Sequence, residues 1–142
     1  MLLLLVACVR LQEGDYTVDF APVDVDTCDV YHGGEAVPDG AAAVSFPDGG
    51  LEVVFAGADD VLSFDLHGDA FSRESEGELY FEDSGACSFV TAQIDAGEVT
   101  SSTTFSVRTA LTGVLRGDCE IWQEVFDDPC EIAFDWTGTL IE

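Results

Sequence analysis

The alternation in residues 132–140 constrains this chain more than any other feature. Ile132, Phe134, Trp136 and Leu140 share one parity with Gly138, while Ala133, Asp135, Thr137 and Thr139 take the other. Successive side chains of a strand point to opposite faces, so a sustained period of two means one buried face and one wet face. The rhythm recurs in Tyr16, Val18 and Phe20, in Val44 and Phe46 before Pro47, and in residues 51–55 after the Asp48, Gly49, Gly50 turn. It continues in Leu62, Phe64 and Leu66 against Ser63, Asp65 and His67, in residues 79–81, and in Val90, Ala92 and Ile94. After an expected turn at Asp95, Ala96 and Gly97 comes a face of Phe105, Val107, Thr109 and Leu111, running on toward Val114. The fold expected is all-β: an antiparallel meander barrel or sandwich of about 8–10 strands, with at most one short helix. The place for that helix is residues 118–126, where Ile121, Trp122 and Val125 have helical spacing, Asp118 could cap and Pro129 could stop it. Glycines at 57, 68, 113, 117 and 138 fall within or between strand candidates, where they permit the bends that closing a sheet requires.

Charge excludes whole classes of partner. The 142 residues hold 29 Asp and Glu against 4 Lys and Arg, for a net charge of −25, and all four cations are Arg. Nucleic-acid binding rests on Lys and Arg displacing counterions from phosphates, so a nucleic-acid partner is excluded. The acidic surface repels itself, and cations that screen it should stabilise the folded chain. Disorder is disfavoured, because 47% apolar residues with ten Phe, three Tyr and two Trp supply a core.

At the N-terminus, Leu2 to Leu5 in unbroken succession, Val6 and Ala7 precede Cys8, and after Arg10 the chain turns polar and acidic. This run is far below the roughly 20 residues that cross a bilayer. Leu5, Val6, Ala7 and Cys8 resemble the lipobox of bacterial lipoproteins, in which the Cys thiol receives a diacylglycerol. The resemblance implies a lipid anchor at Cys8, acylation of the palmitate type, and residues 1–14 as residual signal, lipobox and tether ahead of a single β-domain at 15–142. A secretory signal has a positive n-region and an apolar stretch of about 7–15 residues. The missing n-region and short run imply a true start codon upstream. Val9 rather than Asp after the Cys implies release to the outer membrane, facing the periplasm or the surface. Read without the resemblance, residues 2–9 are a buried strand or a frayed terminus.

Setting Cys8 aside leaves Cys28, Cys87, Cys119 and Cys130, an even number suited to two disulfides in an exported protein. Three pairings are possible. The one expected joins Cys119 to Cys130, the ends of two neighbouring strand candidates, and leaves Cys28 with Cys87.

No motif of catalysis is present: no G-x-S-x-G, H-E-x-x-H, Walker loop, G-x-G-x-x-G or C-x-x-C. His67 with Asp69 and Ser63 or Ser72 is read as structural. Asp24, Asp26, Cys28, Val30, His32 and Glu35 fall in an EF-hand-like frame, but Asp29 stands where that loop needs Gly, and no metal or other cofactor is expected. Tyr31, His32, Gly33 and Gly34 share that loop and are placed to touch a partner.

Gly14, Asp15 and Tyr16 before a strand, followed by hairpins without helical crossovers, are similar to the lipocalin-like meander barrels, with Tyr16 standing where that family usually has Trp. The resemblance implies a cavity for a small apolar ligand. The inward aromatics Phe64, Phe105, Phe134 and Trp136 point instead to a filled interior. The reading favoured by sequence is therefore a non-enzymatic, lipid-anchored envelope domain acting by binding or structural contacts with an envelope protein partner. The alternative is a lipocalin-like carrier of a small apolar ligand.

Overall fold

The computed structural model describes residues 9–29, 39–80, 86–120, 122–124 and 127–142. Among the described residues there are nine strands: β1 (Gly14–Phe20), β2 (Val25–Asp26), β3 (Gly40–Ser45), β4 (Leu51–Phe55), β5 (Val61–His67), β6 (Ala70–Tyr80), β7 (Cys87–Ser101), β8 (Thr104–Gly117) and β9 (Cys130–Leu140). Each of β3 to β9 pairs with the next, and β1 pairs with both β3 and β9, so eight antiparallel strands close into a meander barrel. Closure removes the free edges that an open sheet would expose to other chains. The only helical element among the described residues is a 3-10 turn at Pro47–Gly49, at the end of β3 where Pro47 cannot continue the ladder.

The ninth strand, β2, prolongs the line of β1 along β9. Phe20 lies opposite Trp136 and Val25 opposite Ala133, so the β1–β2 segment uses two more residues than β9 over this stretch. Such an excess bends the longer strand. Ala21 N–H and Asp24 N–H still donate to the Asp135 and Ala133 carbonyls at 2.8 and 3.0 Å. Outside the barrel, the Arg108 guanidinium bridges Asp24 and Asp135, both at 3.1 Å, and clamps this strap to β8 and β9.

Inside, Tyr16, Val18, Val44, Leu51, Val53, Phe64, Phe71, Phe105, Val107 and Trp136 form one buried cluster. Phe105 is its hub, with ring centroids 5.5 Å from Tyr16, 6.0 Å from Phe71 and 5.7 Å from Trp136. Its place is opened by Gly138, its cross-strand neighbour, where a Cβ would overlap the ring. Leu11 plugs this end of the barrel, held by a Gln12 N–H to Ser102 carbonyl bond of 2.9 Å. Tyr16 donates its hydroxyl to the Gln12 carbonyl at 2.6 Å, and burial pushes its pKa up.

The strands are unequal. β3, β4 and β5 have six, five and seven residues, whereas β6, β7 and β8 have 11, 15 and 14. One end is therefore a closed, aromatic-filled barrel, and at the other β6–β8 run on past the ends of β4 and β5. Both disulfides lie at this second end. Cys28–Cys130 ties the strap after β2 to the first residue of β9, and Cys87–Cys119 ties the first residue of β7 to the segment after β8.

These pairs correct the expected Cys119–Cys130 and Cys28–Cys87. Cys130 lies opposite Gly113, deep in the ladder, while Cys119 lies beyond the end of β8. There the chain turns toward β7, with Asp118 N–H donating to the Ala86 carbonyl at 3.1 Å, which brings Cys119 to Cys87. Cys28 follows Thr27, whose N–H bonds the Glu131 carbonyl at 2.8 Å, and so sits beside Cys130. The helix considered at 118–126 is, in its described part, a turn in which Trp122 and Gln123 both donate to the Cys119 carbonyl.

Candidate ligand-binding pocket

The mismatch in strand length makes a pocket. Where β4 and β5 end, the inner faces of β7, β8 and β9 have no opposing wall, and an open-mouthed cavity of about 440 Å³ remains. Its rim on the short side is Phe20, Phe55 and Leu62, from the ends of β1, β4 and β5. Its long wall is Phe89, Thr91, Gln93 and Asp95 of β7, Thr109 and Leu111 of β8, and Ile132, Phe134 and Trp136 of β9. That volume falls within the range of small-molecule sites, and so does the mixture of mainly apolar walls with a few convergent polar groups.

The polar groups meet at the floor. Arg73 of β6 lies opposite Asp95, and Asp95 opposite Thr109, so three neighbouring strands place them in one inward row. Asp95 is only 1% exposed. Its Oδ2 accepts from Arg73 Nη1 at 2.9 Å, its Oδ1 from the Thr109 hydroxyl at 2.5 Å, and Gln93 Nε2 reaches both oxygens at 3.2 and 2.9 Å. Thr109 in turn accepts from Trp136 Nε1 at 3.0 Å. Every buried polar atom of this network has a partner, as it must if the network is not to cost stability. A carboxylate has only acceptors to offer, so it fixes the Gln93 carboxamide with its NH2 toward Asp95 and turns the oxygen away from it.

None of the four arginines lines the pocket. Arg73 holds Asp95, and Arg108 holds Asp24 and Asp135, whose hydrogen bonds push its pKa up. Arg10 lies over the Phe46 ring at 5.9 Å, where Leu11 closes the barrel. Arg116 acts on Glu78 and Tyr80 near the end of the β6–β7 ribbon; there the Ser88 hydroxyl donates to Glu78 at 2.7 Å, and hydrogen bonds from Ser88 and Tyr80 hold the Glu78 carboxyl below its usual range.

Asp95, Gln93 and Arg73 were not among the candidates read from sequence. The sequence points to a turn at Asp95, because Ala96 and Gly97 follow it; the structure keeps it in mid-strand and makes the turn at Ser102 and Thr103. The signal was parity: Phe89, Thr91, Gln93 and Asp95 all face inward, whereas Ile94 is 50% exposed. Phe134, expected to fill the interior, is only partly buried and lines the pocket, because no strand stands opposite it at that level. Phe64, Phe105 and Trp136 are buried as expected.

Cys8 lies outside the described residues, as do Val30, Tyr31, His32, Gly33, Gly34 and Glu35 of the loop after β2. His67 is exposed at the end of β5, on its outer face and away from the pocket. Among the described residues no group of three or more His, Cys, Asp or Glu is placed to hold a metal ion, and no helix is long and apolar enough to cross a membrane. A scan against family models and searches of curated proteins and solved structures found no match to the chain. The architecture is compatible with a lipocalin-like barrel on strand order and closure alone.

Proposed function

We propose that this protein is a non-catalytic binding barrel that carries a small apolar ligand in its open end. The observation that carries the reading is the aromatic pocket of about 440 Å³ set over a polar floor whose buried atoms all have hydrogen-bond partners. Both oxygens of Asp95 are occupied by Arg73, Gln93 and Thr109, which makes the carboxylate a structural anchor for the wall rather than a base. Titration with the neutral fluorophore N-phenyl-1-naphthylamine tests the reading. Saturable one-to-one enhancement is expected, and Thr91→Trp, which puts an indole into the cavity, should abolish it while leaving the fold intact by circular dichroism. Absence of saturable binding, or equal binding by the variant, would refute the proposal.

The cellular place we propose is the outer membrane of a bacterial envelope, through a diacylglycerol on Cys8. Its support is the Leu5, Val6, Ala7, Cys8 sequence together with two disulfides, which persist in oxidising compartments. Labelled palmitate fed to cells expressing the gene with its upstream sequence should enter the wild type and not Cys8→Ala. Label that stays in the variant, or never appears in the wild type, sinks the anchor.

A further inference from the structure

Resting on the pocket reading above, we infer that the ligand is an apolar amine carried as its cation, and that neutral and anionic lipids are discriminated against. Three independent features of the site converge on a positive head group.

The first is charge. No arginine lines the pocket: Arg73 pairs with Asp95 from beside the floor, Arg108 holds Asp24 and Asp135 outside the barrel, Arg10 lies over Phe46, and Arg116 acts near Glu78. A carboxylate entering the pocket would meet no cation on its lining and would lose its hydration without compensation. The mouth is itself acidic. Asp59 and Asp60 lie in the loop between Phe55 and Leu62, and Asp39 accepts the Phe20 N–H at 3.0 Å on the same rim. On a chain of net charge −25, the field at this mouth attracts cations and repels anions.

The second is the rings. Phe20, Phe55, Phe134 and Trp136 cluster around the cavity, with Phe20 5.9 Å and Phe55 5.5 Å from Trp136, and Phe20 6.1 Å from Phe134. The negative face of an aromatic ring favours an ammonium group over an alcohol of equal size, and the more so where water is thinned.

The third is an acceptor. Gln93 gives its NH2 to Asp95, and its Oε1 accepts no hydrogen bond from the described residues. It stands on the pocket wall beside Thr91, where it can take an N–H from a protonated amine.

The test is one hydrophobic body with three head groups: 1-naphthylmethylamine, 1-naphthalenemethanol and 1-naphthoate, titrated calorimetrically at pH 7 in low salt. The amine should bind about tenfold more tightly than the alcohol, with the carboxylate weakest, and added NaCl should narrow the gap. Asp59→Asn with Asp60→Asn, both on an exposed loop where folding is not at stake, should lower amine affinity several-fold and leave the alcohol unchanged. Alcohol or carboxylate binding as tightly as the amine overturns the inference while the pocket stands. An amine preference untouched by the loop substitutions also overturns it. If none of the three binds, and the neutral fluorophore does not bind either, the pocket itself is refuted and this inference with it.

Discussion

Removing Arg73 should damage this protein more than removing the charge it neutralises. Asp95 has a side chain 2% exposed, whereas that of Arg73 is 18% exposed. In Arg73→Met the carboxylate keeps Thr109 and Gln93 but loses its counter-charge while its side chain stays almost wholly out of water. Breaking a buried pair in this way costs about 3–5 kcal/mol, much of it the penalty of the charge left behind. In Asp95→Asn the stranded group is the guanidinium, which can turn toward solvent, so the loss falls to roughly 1–3 kcal/mol for charge-assisted hydrogen bonds replaced by poorer ones. The double variant strands no charge. It should therefore cost less than Arg73→Met alone, with a coupling of about 2 kcal/mol between the two sites.

Urea unfolding with the disulfides intact, followed by tryptophan emission, resolves this. For a urea slope of about 2 kcal/mol/M, a 4 kcal/mol loss moves the midpoint by about 2 M. It would remove about a quarter or more of the stability of a typical domain, about 5–15 kcal/mol. Two single losses that simply add, or Asp95→Asn proving costlier than Arg73→Met, would refute the reasoning, because either result means that water reaches the carboxylate.

The disulfides should rank by the loop each closes. Sequence separations of 102 and 32 correspond to about 4.7 and about 3.7 kcal/mol in the chain-entropy relation, so Cys28→Ala with Cys130→Ala should lower the urea midpoint more than Cys87→Ala with Cys119→Ala; the reverse order contradicts it. Gly138→Ala should destabilise by about 1–3 kcal/mol, since its Cβ meets the Phe105 ring, which is 1% exposed and hemmed by three others. Gly113→Ala meets the Phe89 ring instead, which borders the open pocket, so thermal melts should show the smaller loss there and fluorophore titration a changed affinity. Tyr16, with its pKa raised by burial, favours the neutral phenol in the folded state. Its contribution is complete below tyrosine's ordinary value of about 10 and is lost as pH rises through the elevated one, so Tyr16→Phe should flatten the alkaline fall in stability.

How far the fold could be read depended on whether a strand's inner face was apolar. In β9 and β8 the inward row is Ile132, Phe134 and Trp136, or Phe105 and Val107, and parity alone placed both. In β7 parity misled, because Val90, Ala92 and Ile94 look like a buried face and point outward, while Gln93 and Asp95 point inward. In β6 the pattern reveals only Leu79 and Tyr80, because its inner row of Phe71, Arg73, Ser75 and Gly77 is mostly polar or small, and Phe81 lies outside the described residues. These two strands supply the polar floor of the pocket, and a polar inner face is what defeats a hydrophobic pattern. The disulfides were illegible for another reason. Which cysteines meet depends on where β8 stops relative to β9, and strand ends are set by tertiary pairing rather than by local sequence.

The distribution of cross-links follows from the same asymmetry. At the closed end, eight strands surround a full set of rings, and apolar burial at roughly 25 cal/mol per Å² holds the wall without covalent help. At the open end, the cavity leaves Phe20, Phe55, Phe89 and Phe134 only partly buried, and the strands around them forfeit the packing that an opposing wall would provide. Both disulfides stand at this end, each anchored on the first residue of a long strand, Cys87 of β7 and Cys130 of β9. Pinning the strap and the ribbon there keeps the long wall in place without filling the space it encloses. A cavity cannot be rigidified by apolar side chains without being filled, and a covalent tie behind the wall escapes that conflict.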